Sequence, residues 1–308
     1  MKSKNFSRRD FVRLSGTGVV SNFGIGLRLP PFNYLADARP AVVAGKLSAG
    51  EVMQRIKENV HVPWVGPTVD TIKGGGSPDI IVTGITTSFM ATLDVLQKSV
   101  KAGNNLVLTH EPTFWSNLDG NDGLTADPLY LHKLEFIQSN GLFVHRFHDH
   151  WHARKPDGID EGWIKVMGWD KYKFDEARQV FELPSATTLE GYAKETKHRL
   201  KSDSVRVVGD PQLIVKTVSK GSNKTPKNGA FPLSADVTIT YEPDRENDNV
   251  EWERDSVLSG QMRGFIIVSH NRLEEYGMEN CANWCRTFIS EVPIQFIPSG
   301  DPFWRTIS

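Results

Sequence analysis

The sequence predicts an α/β protein of two α/β lobes with mixed or parallel sheets, ligands at the carboxyl ends of strands, and a metal site in the cleft between the lobes. Three observations predict it. The 308 residues exceed the usual size of one domain, which favours two lobes. Short apolar runs alternate with amphipathic helical stretches, the pattern of strand–helix–strand units in a parallel sheet. Histidines and acids gather directly after three of the predicted strands, where open α/β sheets bind ligands.

Residues 1–38 read as a twin-arginine signal peptide. Ser7-Arg8-Arg9-Asp10-Phe11-Val12 is charged, Leu14 to Leu27 is weakly apolar, and Ala36-Asp37-Ala38 offers a small-residue cleavage point, the three parts of an export signal. Gly16, Gly18, Gly24 and Gly26 dilute the apolar stretch too far for a stable membrane helix. The expected location is periplasmic or otherwise exported, with the twin-arginine translocase as a partner in transit. Cleavage after Ala38 removes six basic and two acidic residues, so the formal charge moves from −1 to about −5 over the remaining 270 residues. An acidic chain without a basic face argues against nucleic-acid binding through phosphates. No run of 18 apolar residues is present, which argues against stable membrane insertion. The two cysteines, Cys281 and Cys285, exclude a disulfide scaffold or a four-cysteine zinc site and read as small core residues on one helix face.

In the first lobe, residues 45–172, Leu47 to Glu58 reads as a helix and Asp79 to Gly84 as a strand. Met90 to Lys101 is a helix stopped by Ala102-Gly103, followed by a strand at Leu106 to Leu108. Pro128 to Asn140 is the next helix and Leu142 to Val144 the next strand. In the second lobe, residues 173–308, the strands are Gln179 to Leu183, Ser204 to Val208, Leu213 to Val218, Asp236 to Tyr241, Phe265 to Val268 and Val292 to Ile297. Thr188 to Lys201 and Glu275 to Ser290 are its helices. Polar segments at Gly221 to Gly229 and Glu242 to Glu253 interrupt the series.

The chemistry sits after three strands. Thr109-His110-Glu111-Pro112 follows one. His145-Arg146-Phe147-His148-Asp149-His150-Trp151-His152 follows the next, with four of the chain's nine histidines in eight residues. Ser269-His270-Asn271-Arg272-Leu273-Glu274 follows the third. His270 and Glu274, at i and i+4, share a helical face either as paired ligands or as a helix start that favours an acid. Carboxylates and imidazoles without cysteine suit zinc, manganese, iron or cobalt. Five or six such donors exceed one tetrahedral ion and fit two ions sharing a bridging carboxylate and water. Such a pair makes hydroxide available near neutral pH and argues for hydrolysis, with His145, His148 and His152 moving protons.

These motifs resemble the dinuclear metal centre, toroidal hexamer family, also called GTP cyclohydrolase I type 2-like, over roughly residues 45 to 305. Its Thr-His-His-Pro is matched by Thr109-His110-Glu111-Pro112. Its His-x-x-x-Asp is matched by His145 to Asp149, with a glycine turn at Asp157-Gly158-Ile159-Asp160, and its Gly-His-x-x-x-Glu by Ser269-His270 through Glu274. The resemblance implies metal ligands at His110, Glu111, Asp149, His270 and Glu274, with Asp149 and Glu274 bridging and His145 behind them. It also implies two divalent ions per chain (Mn, Fe or Zn) and a homo-oligomer, a hexamer. Glu111 replaces the family's second histidine, which adds negative charge and favours a harder ion. Thr240-Tyr241-Glu242-Pro243 lacks a histidine that the family carries there. The expected function is an exported, dinuclear-metal-dependent hydrolase that attacks a small-molecule substrate through a metal-bound hydroxide. The alternative is a non-catalytic metal-binding oligomeric scaffold or metallochaperone.

Overall fold

The computed structural model describes residues 47–121, 123–221, 235–241, 250–251, 254–255, 257–260 and 263–303. The expected export segment and most of the two polar interruptions lie outside the described residues. Among the described residues no helix is long and apolar enough to cross a membrane.

Helix α1 (Ala49–Val60) opens on a reciprocal cap in which the Ser48 hydroxyl accepts from the Glu51 N–H and the Glu51 carboxylate from the Ser48 N–H. Strand β1 (Ile85–Ser88) starts beyond the expected Asp79–Gly84, where Ile81 is 47% exposed and makes only an isolated bridge to Ser48. The polar run Ile-Thr-Thr-Ser is fully buried instead, because its hydroxyls find partners. The Asn104 amide donates to Thr86 Oγ1 (3.0 Å) and the Thr87 hydroxyl donates to the Met278 carbonyl (2.7 Å). Helix α2 (Leu93–Lys101), capped by Thr92, strand β2 (Leu106–Thr109), helix α3 (Pro128–Ser139), capped by Asp127 with proline in its first turn, and strand β3 (Phe143–Arg146) follow. Two short helices absent from the sequence reading come next, α4 (Asp149–Ala153) and α5 (Gly158–Met167).

The second series comprises β4 (Lys173–Asp175), β5 (Val180–Thr188), helix α6 (Leu189–Leu200), β6 (Arg206–Val208), β7 (Ile214–Lys220), β8 (Val237–Tyr241), β9 (Gly264–Val268), helix α7 (His270–Cys285) and β10 (Ile294–Phe296). Helix α7 begins at His270 rather than at the expected Glu275. Ser269 is extended (φ −68°, ψ 148°) and turns the chain straight from β9 into the helix, which puts His270 and Glu274 on neighbouring turns of one face.

One sheet has the order β10-β1-β2-β3 and is parallel throughout. The other, β4-β5-β7-β8-β9-β6, is parallel across β7, β8 and β9 and antiparallel at its other pairings. The chain does not stay on one side of the division expected near residue 172: β10 returns to pair with β1, Ile85 opposite Ile294. Helix α7 joins the two cores, since Leu273 packs with the six-stranded sheet while Met278, Cys281, Ala282 and Cys285 pack with the four-stranded one. Where α5 crosses α7 both helices carry glycine. A Cβ on Gly162 would fall 2.6 Å from the Gly277 nitrogen, and one on Gly277 would fall 2.5 Å from the Ile159 Cα, an approach that only glycine permits. That crossing fixes the N-terminus of α5 relative to the first turn of α7.

Candidate metal centre

The carboxyl ends of five parallel strands supply one group of side chains: Phe89 after β1, His110 after β2, His148 after β3, Tyr241 at the end of β8 and His270 after β9. The turn after β2 is pinned, with the N–H groups of His110 and Glu111 donating to the Phe89 carbonyl at 3.0 and 2.7 Å. His110 is fully buried. Its Nδ1 lies 3.4 Å from the Phe147 carbonyl, whereas its Nε2 has no hydrogen-bond partner among the described residues and sits 3.4 Å from Glu274 Oε2. The same carboxylate oxygen is 2.9 Å from His270 Nε2, and Glu111 Oε1 is 3.7 Å from that nitrogen. Burial opposes the charge on Glu274, but the His110 and His270 imidazoles hold its carboxyl well below the usual range. Tyr241 stacks flat on the His270 ring at 4.0 Å, with the edge of Phe89 at 5.1 Å.

Glu111 is fixed from behind by Arg146, which is fully buried. The guanidinium donates to Glu111 Oε2 (3.1 Å), the His110 carbonyl (2.9 Å), the Asn117 carbonyl and Asn117 Oδ1 (3.2 Å). A guanidinium held by this many acceptors fixes the position of the Glu111 side chain.

The histidine run arranges itself differently from the sequence reading. Asp149, expected to bridge two ions, is spent on structure: Oδ2 accepts from the Thr68 hydroxyl (2.8 Å) and the Val69 N–H (3.1 Å), and Oδ1 faces His148 Nδ1 at 2.9 Å. Burial would raise its pKa, but His148 and the Thr68–Val69 donors lower it to about 2. His145 and Arg146 are successive strand residues and face opposite ways. Arg146 reaches Glu111, so His145 lies on the other face, its ring against Phe143, where burial holds its pKa down at about 4. The structure therefore brings neither residue into the group. It brings His148 and His152, whose rings lie 4.5 and 4.9 Å from His110 and 4.8 Å from each other. One ring nitrogen of each of the three lies within 4.8 Å of the others, and the ligand atoms of His110, Glu111 and Glu274 meet the same limit.

The spacing read at His145 to Asp149 recurs as His148-x-x-x-His152, and α4 turns this second copy toward His110. With His152 at the position of the expected carboxylate and Glu111 at that of an expected histidine, His110, His152, His270, Glu111 and Glu274 still comprise three imidazoles and two carboxylates. The surplus of negative charge expected from Glu111 is thereby offset.

Two carboxylates escaped the sequence reading. Asp157 caps α5, accepting from the N–H groups of Ile159 (2.8 Å) and Asp160 (3.2 Å), and its Oδ2 faces His152 Nδ1 at 2.8 Å. Burial opposes a charge on His152, but Asp157 raises its pKa. An aspartate followed by an acidic first turn is a helix-start signal that could have located it. Asp70, buried beside α4, accepts from the N–H groups of His148, Asp149 and His150 and lies 2.7 Å from His150 Nδ1. His150 stacks on Trp64 at 3.6 Å, and no signal local to Asp70 announces this role.

A buried imidazole nitrogen facing a carboxylate without a hydrogen bond among the described residues, with carboxylates on one side and imidazoles on the other, forms a donor set that fits divalent cations. Comparison with known proteins agrees with a fold of this kind. The Staphylococcus aureus protein SA1388 superposes with a TM-score of 0.64 at 18% identity, covering 85% of this chain and 100% of that one. A Bacillus cereus protein related to NIF3 gives 0.65 at 12% identity, covering 84% and 99%. At these identities the likeness is one of fold. A Clostridium perfringens protein named GTP cyclohydrolase 1 type 2 homolog is 24% identical over 170 residues, 52% of this chain and 63% of that protein, so the match spans less than two thirds of the relative's length. The sequence profile of the Duf34/NIF3 (NGG1p interacting factor 3) family matches residues 66–302, and the chain belongs to that family.

Proposed function

We propose that the protein is a metal-dependent hydrolase of a small-molecule substrate, with divalent cations held by His110, Glu111, His270 and Glu274 and by the imidazoles beside His110. The observation that carries this reading is the His110 Nε2, fully buried and without a hydrogen-bond partner among the described residues yet facing Glu274. A buried polar atom left unpaired costs about 1–3 kcal/mol, and a bound cation removes that cost. When bound, such a cation acidifies water and polarises an oxygen of the substrate, the Lewis-acid chemistry of hydrolysis. The chain's own residues prepare the site. Arg146 fixes the carboxylate of Glu111, Asp157 fixes the ring of His152, and Tyr241 and Phe89 cover the His270 ring. The name of the Clostridium perfringens relative agrees with hydrolysis. Export through the twin-arginine translocase and assembly as a homohexamer belong to the same reading, testable by fractionating cells that carry Arg8→Lys/Arg9→Lys and by light scattering of the purified protein.

The test is elemental analysis after reconstitution with Mn(II) or Zn(II), followed by a screen of cyclic amides, amidines and phosphoesters. The expected result is about two ions per chain and an activity that His110→Ala abolishes. Less than about one ion per chain sinks the reading. Full loading without turnover of any substrate replaces it with the metal-binding scaffold.

A further inference from the structure

We propose that the two cations differ in kind. His110, His148 and His152 form a three-imidazole seat for a borderline ion such as Zn(II) or Co(II), and Glu111, Glu274 and His270 form an acid-rich seat for a harder ion such as Mn(II). This rests on the reading above that the group holds cations, and adds which residues hold which class.

The evidence is the same local pattern three times over. His110 Nδ1 lies 3.4 Å from the Phe147 carbonyl, His148 Nδ1 lies 2.9 Å from Asp149 Oδ1, and His152 Nδ1 lies 2.8 Å from Asp157 Oδ2. The Asp149 and Asp157 carboxylates place the ring proton of His148 and His152 on Nδ1 and leave the lone pair on Nε2, and the Phe147 carbonyl offers His110 Nδ1 the same arrangement once a cation rather than Glu274 faces its Nε2. This is the tautomer of metal-ligating histidines, whose second nitrogen donates to a carboxylate or a backbone carbonyl. The rings come from two separate segments, yet a nitrogen from each falls within 4.8 Å of the other two. The nearest carboxylate oxygen to His148 Nε2 is Glu111 Oε1, 3.9 Å away and too far for a hydrogen bond. Imidazoles tied down in this way are oriented as ligands, which replaces the expectation that His148 and His152 carry protons.

The two seats adjoin where His110 Nε2 meets Glu274 Oε2 at 3.4 Å. On one side stand three imidazole nitrogens; on the other stand two carboxylates with one imidazole. Nitrogen donors suit zinc, nickel, cobalt and copper, whereas oxygen donors suit manganese and magnesium. A chain offered both classes at once should therefore sort them.

The test strips the full chain with chelator, confirms by circular dichroism that it stays folded, and reconstitutes it with equimolar Zn(II) and Mn(II) before gel filtration and elemental analysis. About one zinc and one manganese per chain are expected, together with the intense visible bands of four-coordinate Co(II) when cobalt replaces zinc. His148→Ala should lose zinc and keep manganese, and Glu111→Gln should do the reverse. Asp157→Asn retains a residue that caps helices well and should weaken zinc binding about 10–100-fold without touching manganese, so the zinc seat remains testable if His148→Ala fails to fold. Two ions of one kind from the mixture, or joint loss of both ions in these variants, overturns the assignment alone. A wild-type chain that binds neither metal overturns the assignment and the parent reading together.

Discussion

Two histidine–carboxylate groups flank the run from His145 to His152, and they are built in opposite senses. On one flank, Asp70 is buried with both oxygens engaged, by three backbone N–H groups and the His150 ring, and Trp64 covers that ring. On the other, His110 is equally buried, but its Nε2 has no hydrogen bond among the described residues although two carboxylates lie close by. Burial and a carboxylate beside an imidazole are common to both, so neither feature identifies a functional site. Completeness of hydrogen bonding separates them. A closed set stabilises the fold; what marks the open one is the convergence of imidazoles and carboxylates on its free nitrogen rather than the missing bond alone, since His145 Nδ1 is also buried without a hydrogen bond among the described residues.

The contrast can be broken most directly at Asp70. Asp70→Ala leaves three N–H groups at the start of α4 and the His150 ring unpaired, and should cost about 3–5 kcal/mol in denaturant unfolding of the metal-free chain. A loss below about 1 kcal/mol would show that this group is not structural. His145, whose protonated form is stabilised by Asp70, gives a pH test. Burial holds it neutral down to about pH 4, against an ordinary value near 6.5 in the unfolded chain. Between those values the unfolded chain binds the proton and the folded chain does not. Stability is therefore complete above about pH 6.5 and falls as pH drops toward 4, by about 3 kcal/mol at the limit. His145→Gln should flatten that slope; an unchanged slope assigns it to other groups. The smallest effect sharpens the other side. A cation at 100 times its Kd should raise wild-type stability by about 2.7 kcal/mol and leave His110→Ala where it was, as read by thermal melting with and without metal.

Much of this architecture is legible in the sequence, because most elements declare themselves by period and by stops such as Ala102-Gly103, and the structure adds caps at Ser48, Thr92, Asp127 and Thr188. The failures have physical causes. β1 reads as polar because its threonines are buried through partners that lie far away in the chain, Asn104 and Met278. The apolar Asp79–Gly84 looks more like a strand but lies beside α1 as an isolated bridge. Within the histidine run, spacing alone permits two ligand registers, His145 with Asp149 or His148 with His152. Asp70 decides between them by capping α4, and nothing near Asp70 in sequence hints at it. That His110, Glu111, His270 and Glu274 lie together was legible because the first three sit within two residues of a strand end and Glu274 lies one helical turn beyond His270.

The return of β10 to the four-stranded sheet has a consequence in time. Of the described strands, the one beside β1 is the last to be synthesised, and α7, with His270 and Glu274, comes just before it. Distant parallel pairings of this kind form slowly. His110, His148 and His152 are all synthesised by residue 152, more than a hundred residues before His270 and Glu274. A growing chain thus carries the three imidazoles well before Glu274 exists, so on the reading proposed above the imidazole side meets a cation first.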